Sequence, residues 1–203
     1  MAWKPTYATL AELKHALSPG IADTVDDAEL TRALGAASRA IDHHCGRQFG
    51  LEDEVSVRYY TPTSHGRAAV VIDDLMVTDD LVVKVGAPGT YDTTLELDVD
   101  FALFPWNAEV DGRPWTMLVG MNGAALPCRD RSVQVSATFG WSAVPTEVVQ
   151  ACLLQASRIF KRKDSPFGVA GSPEMGSEVR LLSKVDPDVA VLLSGVRRYF
   201  GAV

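Results

Sequence analysis

The chain has 203 residues, 47% of them apolar, and a formal net charge of −7; it is long enough for one sizeable core or a core with an appended subdomain. The acidic balance argues against a protein that grips nucleic acid by neutralising phosphates, since that needs Lys and Arg concentrated on one surface. The longest apolar runs, such as AAVVI at 68–72, fall far short of the roughly 18 to 20 residues that cross a bilayer, and Cys45, Cys128 and Cys152 are too few and too scattered for a disulfide framework or a zinc ribbon.

No charged-then-apolar leader opens the sequence, so the expectation is a folded chain from a reducing, intracellular compartment with no membrane partner. The acidic excess falls in short runs, Asp23, Asp26, Asp27 and then Asp73, Asp74, Asp79, Asp80. These read as helix starts and strand turns, where carboxylates favour helix N-termini and Asp suits turns.

The first fifty residues read as two helices. Thr9 and Glu12 make a T-x-x-E capping box before LAELKHAL, and Ser18, Pro19 and Gly20 stop it. The second helix begins near Asp26, with Glu29 at its third position. Its Leu30, Leu34, Ala37, Ile41 and Cys45 recur at spacings of three and four, and Ala33, Ala36 and Ala40 keep an adjacent face small enough for another helix to approach. Gly46 follows as the C-cap.

Between about 55 and 140 the period changes to short runs rich in β-branched and aromatic residues: VSVRYY, AAVVI, LVVKV, TLELD, FALF, TMLV and SVQVSATF. Turn signals such as SHG, DD, APG, DG and NG separate them, which predicts an all-β insert of about six or seven strands. Asp111-Gly112 and Asn122-Gly123 are the sharpest hairpin candidates, because both dipeptides accept the positive φ of tight primed turns. Helical period then returns. Pro145 opens a helix at its first residue, with Val148, Val149, Cys152, Leu153, Ala156, Ile159 and Phe160 as its apolar stripe and Lys161, Arg162, Lys163 matched to the C-terminal dipole. Residues 164–178 are too rich in Gly, Ser and Pro for regular structure. A last helix starts with Asp186 as cap and Pro187 behind it. Val189, Leu192, Leu193, Val196 and Phe200 form its apolar side, and Arg197, Arg198 and Tyr199 lie near its end. The fold class is α+β: helical parts at 1–54 and 141–203 around a β-rich part at 55–140.

The stretch that looks most chemical is IDHHCGRQFG at 41–50. Adjacent helical residues point about 100° apart, so His43 and His44 cannot aim at one ion, and no Asp, Glu, His or Cys stands three or four residues from either. Cys45 lies on the buried stripe and makes a poor nucleophile. Asp42-His43-His44 spells the tripeptide of the DHH phosphoesterases, a metal-dependent alternative, but two helices precede it where that family has strands and a D-x-D; Asp98-Val99-Asp100 comes too late. Gly168, Gly171 and Gly176 lack the Lys-Ser/Thr of a phosphate loop, Gly140-Trp141-Ser142 lacks the glycine of a nucleophile elbow, and His65 has no evident acid partner. The expectation is no enzyme, no metal and no cofactor. A third reading, a monomeric β-domain binding module, rests on Trp106, Trp115 and Trp141 as exposed aromatics, against packing over the core.

The order of segments does resemble a known family. YATLAELKHALSPGIADTVDDAELTRALGAASRAIDHHCGRQFG, with its capped short helix, acidic helix start, Ala-Ala-Ser centre and Cys-Gly-Arg-x-Phe exit, is similar to the N-terminal segment of tailed-phage head-to-tail connectors, also called adaptors or head completion proteins. ATFGWSAVPTEVVQACLLQASRIFKRKDSPFG continues it, and DVDFALFPWNAEVDGRPW looks like a strand pair of the longer, β-containing connectors of phages infecting actinobacteria. The resemblance implies a virion protein of the neck, assembled in the host cytoplasm. Its partners would be about twelve copies of itself in a ring, the portal protein, and a stopper or tail-terminator protein, with genomic DNA passing through the lumen without sequence-specific binding. By that analogy Arg197, Arg198, Tyr199 and Phe200 are portal-side candidates. Residues 164–178 are expected to be either a mobile loop or a segment ordered by a partner, with Phe167 and Met175 as candidates for ordering on assembly.

Overall fold

A computed structural model describes residues 4–18, 23–62, 69–123, 126–162, 169–170, 179–180 and 186–198. Among the described residues, four helices, two larger antiparallel sheets and one two-residue ladder make it a mixed α+β chain. It divides into two compact units: a β unit formed by Gly50–Ala143, and a helical unit formed by Lys4–Phe49 with Val144–Val203. The division falls a few residues outside 55 and 140 because the entering and leaving strands of the β unit are tied together. Leu51 bridges Gly140, the Glu52 amide donates to the Phe139 carbonyl at 2.9 Å, and the Trp141 amide donates to the Gly50 carbonyl at 3.0 Å. Gly140 sits at φ 123°, and a Cβ there would lie 2.0 Å from the Gly50 oxygen, so only glycine fits this seam.

In the helical unit, α1 (Leu10–Leu17) starts with the expected capping box: the Glu12 amide donates to Thr9 Oγ1 at 3.2 Å and the Thr9 amide to Glu12 Oε2 at 2.7 Å. α2 (Asp27–Cys45) buries Leu30, Ala33, Leu34, Ala37, Ser38, Ile41 and Cys45 and ends on Gly46 in the left-handed conformation, φ 64° and ψ 24°. α3 (Thr146–Lys161) packs on α2, α1 and α4 (Pro187–Leu193). Two boundaries differ from the sequence reading. Pro145 is the N-cap of α3, not its first residue, its extended φ −59°, ψ 143° being a conformation proline holds easily. α4 is capped by Asp186, whose Oδ1 accepts from the Asp188 amide at 2.9 Å, but it stops at Leu193; Leu192 is half-buried, and Val196 reaches the core from a turn outside the helix.

In the β unit seven strands form two sheets. One has the order β1 (Ser56–Tyr60), β7 (Val133–Ala137), β3 (Val82–Ala87), β4 (Thr90–Leu95); the other has β2 (Ala69–Leu75), β6 (Trp115–Gly120), β5 (Phe101–Phe104). All pairings are antiparallel. Alternate residues from both sheets, among them Val70, Ile72, Phe101, Leu103 and Leu118 from one and Val83, Val133 and Val135 from the other, close one core between them.

The tight-turn expectations are corrected, although Asp111-Gly112 does lie between two paired antiparallel strands. Asn122 and Gly123 do take φ 49° and 79°, yet they follow β6, and the next strand, β7, pairs with β1 and β3. Gly112 at φ 61° belongs to a ten-residue connection between β5 and β6, residues 105–114. The tight hairpin is Pro88-Gly89 between β3 and β4, with Gly89 at φ 90°. Beside it the register shifts at Gly86, where a Cβ would lie 2.2 Å from the Thr90 oxygen, and the strand expected at TLELD therefore starts earlier, at Thr90. Asp73 and Asp74, expected in a turn, lie inside β2, whereas Asp79 and Asp80 do form one. A two-residue ladder pairs β8 (Val169–Ala170), inside the stretch expected to be irregular, with β9 (Val179–Arg180), just beyond it. The rest of 164–178, with Phe167 and Met175, lies outside the described residues, as do Tyr199 and Phe200.

Candidate functional site

The end of α2 is a structural junction. His43 is exposed and His44 half-buried in the last turn, where the helix dipole favours them, while Cys45 is fully buried. Burial pushes the Cys45 thiol up to about 11, so a thiolate is scarce at neutral pH and a cysteine–histidine nucleophile has no basis here. Asp42, the first residue of the DHH tripeptide, accepts from the Tyr7 hydroxyl and pairs with Arg39 Nε at 3.2 Å. Burial raises the Asp42 pKa despite both partners, and burial with the Asp42 hydrogen bond raises that of Tyr7. Asp98 and Asp100 belong to the other unit. Among the described residues no group of three or more His, Cys, Asp or Glu could hold a metal ion, and no helix is long and apolar enough to cross a membrane.

The sequence reading missed the centre of this junction. The Tyr7 hydroxyl also accepts from the Phe49 amide at 3.0 Å, its amide donates to Ser38 Oγ at 3.1 Å, and Arg39 Nη2 donates to the Pro5 carbonyl at 2.7 Å. Ser38 Oγ in turn lies 3.5 Å from Cys152 Sγ on α3. One tyrosine therefore staples the entering segment to the middle and the end of α2. A lone Tyr before a capping box gives no period that would have flagged it.

Of the portal-side candidates, Arg197 is exposed and Arg198 half-buried past the end of α4, and the Arg198 amide donates to the Cys45 carbonyl at 2.8 Å. The positive charges of Arg47 and Arg197 both act on the Cys45 thiol. The HHC exit and the C-terminal arginines thus meet at the end of α2, where Asp42 also acts on the Cys45 thiol. A cleft of about 130 Å³ at the other end of α2 is lined by Lys14, Leu17, Asp23, Asp26, Asp27, Leu30, Phe160 and Lys161. It is below the roughly 300 Å³ at which small-molecule sites begin, and Lys14 is already paired with Asp27 and donates to the Asp23 carbonyl at 2.7 Å.

The three tryptophans do not share a surface. Trp141 is buried, its Nε1 donating to Asp74 Oδ2 at 2.9 Å, which is what allows Asp74 inside a strand. Asp73 is accommodated there by the Tyr60 hydroxyl and Arg58, whose guanidinium also pairs with Glu52 and lies 4.1 Å over the Phe139 ring. Trp115 packs half-buried against the core. Of these three, Trp106 is the exposed one, edge-on to Phe104 at 5.5 Å between ring centres. A carbohydrate- or peptide-stacking site built from all three is excluded.

No protein-family model and no curated protein matches the chain. Solved structures do. The chain matches, over 99% of its length and 96% of the other's, a chain in the neck of an empty gene transfer agent (GTA) particle computed with C6 symmetry, at 22% identity and a TM-score of 0.57. A chain in the virion of the native GTA particle matches at 21% identity and 0.55, again covering 99% and 96%. A third, in the neck of the native particle computed with C12 symmetry, matches at 19% and 0.53, covering 99% and 97%. Nearly the whole chain therefore shares its fold with chains of these particles.

Proposed function

We propose that this chain is a structural virion protein of a phage-type neck, a head-to-tail connector or adaptor. About twelve copies form a ring beneath the portal, hand on to a stopper or tail-terminator protein, and let genomic DNA pass. The observation that carries the reading is the fold shared over 99% of the chain with chains in GTA necks, one of them computed with C12 symmetry. The connector-like segments at the start, middle and end of the sequence support it independently. On this reading the helices are the connector core, 55–140 is its β insert, and the role is assembly without catalysis or cofactor.

The chemistry is compatible with the role. A net charge of −7 suits a lumen wall that repels duplex DNA and lets it slide. Arg197 and Arg198, anchored at the end of α2, begin the portal-side segment that continues through Tyr199 and Phe200, and the 164–178 loop with Phe167 and Met175 orders on assembly. The test is particle mass by light scattering and electron microscopy, alone and with portal rings. A ring, or ring formation on the portal, is expected; a strict monomer that ignores portal overturns the reading.

A further inference from the structure

The β unit carries exposed apolar side chains on the outer faces of both sheets. On the four-stranded sheet, the residues alternating with the core positions face outward: Val57 and Val82 flank Ser136 in one cross-strand row, and Tyr59, Gln134 and Lys84 form the next. Val57 is 50% exposed and Val82 40%. On the three-stranded sheet Val71, Met117 and Phe104 make an outward cross-strand row. It continues into the 105–114 connection, where Trp106 is 57% and Val110 88% exposed.

That connection is not slack. Ala108 is buried beneath it, and the amides of Ala108, Asp111, Gly112 and Arg113 donate to the carbonyls of Pro105, Asn107, Glu109 and Ala108 at 3.2, 3.1, 3.1 and 2.8 Å. A loop fixed by its own backbone holds Trp106 and Val110 in water before any partner arrives, so little ordering entropy is lost on binding. Because one core fills the space between the sheets, the two outward surfaces point in opposite directions. Lys84 lies in one of the outward rows and Arg131 stacks 4.8 Å over the Tyr59 ring, while the loop of the other surface carries Glu109, Asp111 and Arg113.

We infer that these two surfaces are the two halves of one head-to-tail contact between copies of this chain: the Trp106–Val110 loop and Phe104 row of one copy seat on the Val57, Tyr59 and Val82 face of the next. A closed ring needs a heterologous contact, with different patches on opposite flanks of each subunit, whereas a two-fold dimer needs only one patch meeting itself. The inference rests on the ring reading above and assigns its intersubunit contact to the β unit.

Trp106→Glu and Val82→Glu, each made in the full chain, test it by native mass spectrometry and light scattering. Wild type forms rings, alone or on portal; each variant, with an unchanged unfolding midpoint, is monomeric at the same concentration. An equimolar mixture gives a 1:1 dimer and nothing larger, because the intact loop of the Val82→Glu chain still meets the intact sheet of the Trp106→Glu chain. If either protein fails to fold, Val110→Glu or Val57→Glu, also at exposed positions, replaces it. Rings from both variants, or a mixture that stays monomeric, overturn this contact and leave the connector reading standing. A wild-type chain that never forms a ring overturns both.

Discussion

Between the sheets of the β unit the core is filled by large side chains, Phe101, Phe139, Leu118, Ile72 and Leu75, all essentially inaccessible to water. The helical unit also buries large residues, Leu13, Ile41, Phe49 and Leu193, but on α2 and α3 it adds a set of small ones with no exposure: Ala37, Ser38, Ala151, Cys152 and Ala156. Sheets stack about 10 Å apart and need volume between them, whereas helices with small faces gain contact by approaching closely. Both units are therefore vulnerable to losing atoms, and the helical unit, at its small buried residues, also to gaining them.

The largest expected effect tests the first half of that contrast. Phe101→Ala should cost about 3 to 5 kcal/mol in chemical denaturation, from lost transfer energy and the cavity left between the sheets. Ala37→Leu should cost about 1 to 3 kcal/mol by forcing α2 from α3; if it proves neutral, the small-residue interface is looser than its burial indicates. Tyr7→Phe, which keeps the volume and removes the hydroxyl, should cost about 1 to 3 kcal/mol because the buried Phe49 amide loses its acceptor. That loss would show that polar stapling contributes to the helical unit as well as close packing.

The Thr9 cap is smaller, about 1 kcal/mol for Thr9→Ala by thermal or chemical unfolding. It also gives the helical unit an acid dependence. Hydrogen bonds from the Thr9 amide and hydroxyl lower the Glu12 pKa. A carboxylate depressed in the folded state adds stability above its unfolded value, near pH 4.3, and loses it as pH falls through the folded one. Glu12→Gln should remove that acid-side step from the pH profile of stability. The smallest effect is expected at the residues that look most functional: His43→Ala with His44→Ala should change stability by less than about 0.5 kcal/mol and leave assembly unchanged.

How much was legible follows the reach of each signal. The T-x-x-E box of α1, the Asp186 cap, the buried face of α2 and the Gly46 terminus all depend on residues within four positions of one another, and each stands in the fold where its sequence put it. The β region was legible as alternating runs bounded by turns, and the exposed members of those runs, Val57 and Val71, follow from period two once the inward face is known. Which strands pair was not legible. The order β1, β7, β3, β4 joins residues 56–60 to 133–137, and no local pattern carries that information.

The same limit explains the misread residues. Asn122-Gly123 has the backbone of a hairpin turn but no partner strand beyond it, and Asp73 and Asp74 look like turn residues because their partners, Arg58, Tyr60 and Trp141, are distant in sequence. Arg197 and Arg198 were marked by family analogy, but their attachment to the α2 exit rests on the Arg198 amide reaching Cys45. The sequence by itself determined that there are four helices, the α1 and α4 N-caps, the Gly46 terminus, the main buried stripe of α2 and the acidic balance, since these follow from neighbouring side chains and from composition. Only the tertiary structure decided the sheet order, the Tyr7 staple, the burial of Trp141 and the two outward apolar surfaces, because each depends on residues that only the folded chain brings together.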